Sequence, residues 1–187
     1  MSVNNDTIYT IATVDLSGGP VVLHVPDTAG RYYVLQFVDA WSNNFAYVGR
    51  RATGTEEGEF LLAPRDWEGS APDGLRVIEA PTRVFSIVGR IAVDGEQDLP
   101  QVRALQNEFT LTQVDDTAGL EGVPAPDVSL AEELRFFDAM RLWAQAFPPP
   151  AAEREYLERL RPLGLLDRDA PYANPNESLA GALGQGF

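Results

Sequence analysis

No cysteine occurs among the 187 residues. A disulfide framework, a thiolate metal site and a cysteine nucleophile are therefore excluded. Lysine is also absent, and all 14 basic residues are arginine, a usage that reads as coding bias. That removes Schiff-base chemistry and the phosphate-binding lysine of a P-loop. Histidine occurs once, at His24, and no HExxH pattern is present. A zinc centre has no ligand set, and neither a metal nor another cofactor is expected. No apolar run reaches the roughly 18 residues of a bilayer-spanning helix. The first ten residues lack the basic and apolar segments of a signal peptide. The expectation is a cytoplasmic protein without a membrane partner. A net charge of −14 with no basic cluster disfavours nucleic acid as a partner as well.

What is present is β pattern. Short apolar, β-branched stretches at Thr7–Val14, Val21–Val25, Arg31–Ala40, Asn44–Gly49, Phe60–Ala63, Leu75–Glu79 and Arg83–Val93 are separated by Gly, Pro and Asn turns. That spacing predicts a mainly β fold, a β-sandwich, jelly-roll-like or barrel, with C-terminal α-helices. The period changes at Asp98, which is expected to cap a helix with Val102, Leu105 and Phe109 on one face; Thr110–Val114 then returns to the sheet. Residues 1–114 read as the β domain, 115–128 as a linker and 129–187 as a helical extension packing on that domain or on a partner. Within the extension, Ser129 and Glu132 form a capping-box pattern, the helix it opens stops at Pro148, and Ala151–Leu163 is a second helix ended by Gly164.

The stretch Arg31–Arg51 concentrates aromatic residues and threads polar ones among them, as a small-molecule pocket does. Its strand is apolar on both faces, which predicts an interior position in a sheet. Candidate catalytic groups are Asp39, at the strand's end beside Trp41, and Asp6, in Asn4-Asn-Asp-Thr7. Each has a structural alternative as a turn-forming residue. The two together could make a two-carboxylate site. Candidate substrate-binding residues are Tyr9, Tyr32, Gln36, Trp41, Asn43, Arg51 and Arg90. The two arginines follow glycines at strand ends and suit a substrate carboxylate; their alternative is a buried ion pair with Asp39, Asp94 or another carboxylate. His24 reads as a core or rim residue.

Asn4-Asn-Asp-Thr-Ile-Tyr9, the run Val25–Gln36, Gly49-Arg-Arg-Ala-Thr-Gly54, Trp67-Glu-Gly69, Gly89-Arg90 and Asp98-Leu99 resemble the bacterial family named domain of unknown function 1254, over about residues 3–114. The resemblance implies a β-sandwich-like fold and little about activity. It draws attention to Asn5, Asp6, Thr7, Tyr9, Arg31, Tyr32, Gln36, Asp39, Gly54, Trp67 and Arg90. Longer members carry sequence before the first motif and a companion domain numbered 1214 after the helices. This chain would then be a compact stand-alone member or half of a split protein. The functional expectation is a small-molecule-binding β domain taking a small organic ligand. Its enzymatic form would be cofactor-independent acid–base or shape-templated catalysis of isomerase or cyclase type in a bacterial pathway. The alternative is a non-catalytic interaction module, acting as a homo-oligomer or with a separately encoded second domain.

Overall fold

A computed structural model describes residues 4–72, 74–115 and 119–184. Val3, Asp73, the linker residues 116–118 and the tail residues 185–187 lie outside the described residues. The chain divides into two compact units, Met1–Gly122 and Val123–Phe187. The first is a sandwich of two open four-stranded sheets, not a closed barrel. One sheet runs β1 (Thr7–Asp15), β7 (Val84–Ala92), β3 (Tyr33–Asp39), β4 (Asn44–Gly49), antiparallel throughout. The other runs β6 (Arg76–Ala80), β5 (Gly58–Pro64), β2 (Val21–Val25), β8 (Thr110–Gln113), with β5 and β6 parallel. Leu23, Leu35, Phe37, Leu62, Phe85 and Ile91 are part of the core between them.

Strand β3 is interior, as its two apolar faces require, but the faces differ. Tyr33, Leu35, Phe37 and Asp39 are buried, whereas Val34, Gln36 and Val38 stay partly exposed. Helix α1 (Leu99–Gln106) follows β7 and buries Val102. Phe109 lies beyond this helix and meets the edge of Tyr33. Asp98 stands at the helix start without capping it. Its carboxylate instead takes two N–H groups of Arg31, at 2.6 and 2.9 Å, and the backbone N–H of Asp94. A fork against a carboxylate is the stronger contact, so the cap is forgone.

In the second unit α2 (Glu132–Ala146) and α3 (Ala151–Arg159) are followed by a 3₁₀ turn, Arg161–Leu163, and α4 (Glu177–Gly184). The expected capping box is not formed, because the backbone N–H and hydroxyl of Ser129 both donate to Asp127 and α2 begins three residues later. Helix α3 stops short of Leu163; Pro162 has no N–H to continue it. Gly164 closes the turn in the left-handed region. A small core of Leu130, Tyr172, Leu179 and Leu183 accompanies a buried ion pair, Asp138 with Arg141. Among the described residues no helix is long and apolar enough to cross a membrane.

Candidate functional site

The strand registers carry the site. Arg90 lies between Tyr9 and Val34, and Val34 lies opposite Gly49. One row on, Val88 lies between Ile11 and Gln36, and Gln36 opposite Tyr47. Side chains alternate between faces, so these residues share the outer face of the first sheet. A groove of about 420 Å³ crosses it, lined by Tyr32, Val34, Gln36, Tyr47, Arg51 and neighbouring backbone.

Two local devices build that groove. Gly49 has φ +151°, and a Cβ there would lie 2.5 Å from the Tyr33 carbonyl oxygen; only glycine fits. Its carbonyl accepts the N–H groups of Ala52, Thr53 and Gly54. The tight turn this makes carries Arg51 back over the ring of Tyr32, 5.6 Å from its centroid. The second device is a bulge. Phe37 pairs with Ala46 and Val38 with Asn44, leaving Phe45 as the extra residue. Phe45 packs edge-on against Phe37 and Phe85, while Tyr47, of the same parity, points outward beside Gln36 and is exposed.

Arg90 repeats the pattern, 5.0 Å from the centroid of the Tyr9 ring. Both arginines are exposed, and among the described residues neither has a carboxylate within 4.0 Å. The expected alternative of a buried ion pair is thereby overturned: stacking on tyrosine holds each guanidinium in place and leaves its N–H edge open. Gln36 donates to Asn44 Oδ1, which leaves its own carbonyl oxygen toward the groove's polar inventory.

Asp39 takes no part in that face. It is buried at the end of β3 and accepts the backbone N–H groups of Trp41 and Asn43, at 2.9 and 2.8 Å, and the Asn43 side-chain amide at 3.4 Å. It thereby holds a turn in which Ser42 adopts φ +64°. Trp41 and Asn43 belong to this turn, not to the groove. Asp6 is exposed at the start of β1, and its carbonyl accepts the N–H of Val93. The turn there is closed by Asn4, whose Oδ1 accepts from Asp6 and Thr7. Asp39 pairs with Phe85 at the other end of β7, eight residues from Val93 and so about 26 Å away. The two-carboxylate site is ruled out by that separation. His24 is half-buried on β2, its Nε2 3.9 Å from Glu57. Among the described residues no group of three or more His, Cys, Asp or Glu could hold a metal ion.

Arg31 ties the start of β3 to the end of β7, through Asp98 and the carbonyl of Ala92. The bonds from Arg31 hold the Asp98 carboxyl below the ordinary carboxylate range, and the Arg31 guanidinium is raised in turn. Tyr47 was the groove residue that motif reading passed over. Its signal was present in the Asp39–Asn43 hairpin turn, but the bulge obscured the pairing.

The comparisons agree with the fold and are silent on chemistry. The model of a family described as "Protein of unknown function (DUF1254)" matches residues 1–113. A search of curated proteins finds no match. Among solved structures, the crystal structure of the VPA0106 protein from Vibrio parahaemolyticus matches with a TM-score of 0.78 at 20% identity. The match covers 98% of this chain and 47% of that one, so this chain spans about half its length. Identity that low establishes the fold alone.

Proposed function

We propose, on the premise that this chain belongs to the DUF1254 family, that its sandwich binds a small organic anion in the groove of Tyr32, Gln36, Tyr47 and Arg51. The carrying observation is the exposed Arg51 guanidinium, stacked on Tyr32 and free of any carboxylate among the described residues, in a chain of net charge −14. The groove's volume is within the range of small-molecule sites. Its lining holds no carboxylate and no imidazole. Binding is therefore the reading it supports; a proton-transfer step there would fall to the hydroxyl of Tyr32 or Tyr47. Arg90, on the same face, is placed to meet a second acidic group or a longer ligand. The test is calorimetric titration with benzoate and phenyl phosphate, against neutral benzamide. The anions are expected to bind the natural chain, and Arg51→Leu to weaken them about tenfold or more with melting unchanged. Equal binding by benzamide, or by Arg51→Leu, would sink the proposal.

A second reading rests on the same face. Tyr9 and Ile11 are 46% and 70% exposed there, apolar side chains of the kind that association covers. The face would then meet a second copy of this chain or a separately encoded domain. Light scattering at high protein concentration distinguishes the two readings: a clean monomer argues against association, and Ile11→Glu should dissociate an oligomer without unfolding it.

A further inference from the structure

A second cavity lies inside the sandwich, on the opposite side of the first sheet from the groove. It measures about 110 Å³ and opens between β1 and β8, the edge strands of the two sheets. Leu23, Leu35, Ile87 and Ile91 form its floor and are buried. Ala12 stands in its wall opposite Ile87, presenting one methyl group where its neighbours present branched chains. Leu111, 38% exposed, stands at its mouth. The polar residues of its lining are Thr10 and Thr110. An internal water needs two to four polar partners, and cavities walled by aliphatic side chains stay dry; one of about 150 Å³ takes up benzene.

We infer that this cavity is a binding site for an apolar group the size of one arene ring or a short alkyl chain, entering between β1 and β8. The site is independent of the outer groove, since the two lie on opposite faces of one sheet. It differs in chemistry too, having no charged group in its lining.

The experiment is a titration of the full chain with benzene, followed by methyl NMR and by thermal melting. Saturable shifts are expected at the methyls of Leu23, Leu35, Ile87 and Ile91, together with a higher melting temperature. Ala12→Leu fills the cavity and should abolish both changes. Should Ala12→Leu fail to fold, the smaller Ala12→Val, which fills part of the cavity from the same position, is expected to weaken uptake at least tenfold. Arg51→Leu should leave uptake as it is. Absence of saturable shifts in the natural chain overturns the inference. So does unchanged uptake in the folded filling variants, or shifts confined to Ile11 and Val34 on the outer face.

Discussion

In the first unit the groups removed from water are mostly apolar, and its ion pairs, Arg31 with Asp98 and Arg83 with Asp15 among them, stay partly exposed. In the second unit the most deeply buried contact of α2 is ionic. Asp138 is 1% and Arg141 5% exposed. Asp138 also accepts the backbone N–H of Asp127, and Arg141 donates to the carbonyl of Arg168. Two separate segments are thus fastened to one helix turn. The difference follows from size. A short helical stretch has less apolar area to bury: Leu130, Tyr172, Leu179 and Leu183 cluster, and Phe147, Leu157 and Leu165 are buried besides. A buried pair adds little net stability, because desolvation offsets the attraction, yet it is costly to break from one side. The sandwich is held by area, the helical unit by geometry.

The sharpest way to break this comparison is Asp138→Ala. It strands the Arg141 guanidinium and the N–H of Asp127, and should cost the second unit about 3–5 kcal/mol, seen as a lost or lowered calorimetric transition. The double change Asp138→Leu with Arg141→Met should cost far less; if it costs as much as the single change, the pair is not what fastens the segments. The corresponding change in the sandwich is smaller. Asp39→Ala leaves the Trp41 and Asn43 N–H groups without their acceptor and should cost about 1–3 kcal/mol by denaturant melting. It should leave anion binding at Arg51 intact, and loss of that binding would return Asp39 to the functional site.

The smallest expected effect is on acid stability. Hydrogen bonds from Arg31 lower the carboxyl of Asp98, and those from Ser129 lower that of Asp127. A carboxyl lowered in the folded state contributes stability that is complete above its ordinary value of about 4 and is lost as pH falls through the lowered one. Both units should therefore weaken in acid, with melting measured between about pH 5 and pH 2. Arg31→Leu should flatten that acid dependence in the sandwich and leave it unchanged in the helical unit. An unaltered profile would mean that Asp98 is held down by something else.

The strands were legible because each is a short alternating stretch bounded by turn residues, and the two-faced pattern of β3 correctly marked an interior strand. What the pattern did not carry was which outward residues meet. Tyr9, Tyr32, Gln36, Arg51 and Arg90 are separated by up to eighty residues in sequence and share one face only through the registers of β1, β7, β3 and β4. Tyr47 joins them because the bulge at Phe45 resets parity, and a bulge leaves no mark in composition. Asp39 looked catalytic for the same reason that it is structural: a carboxylate before Trp-Ser-Asn is equally a turn acceptor. Asp138 and Arg141 are spaced like an ordinary surface pair on a helix, and only packing reveals them as internal.

Strand β7 is the neighbour of both β1 and β3, which has a consequence for the order in which the chain can assemble. As synthesis proceeds, β1 emerges first and waits for a partner made roughly seventy residues later. Meanwhile β3 and β4 can close as a local hairpin. The first sheet therefore has no continuous structure until residues 84–92 arrive, and it then forms in one long-range step. Such distant pairings slow folding. The helical unit, made of near neighbours in sequence, carries no such delay. A nascent chain halted before β7 would present β1, with Tyr9 and Ile11, as an unpaired apolar strand to whatever is nearby.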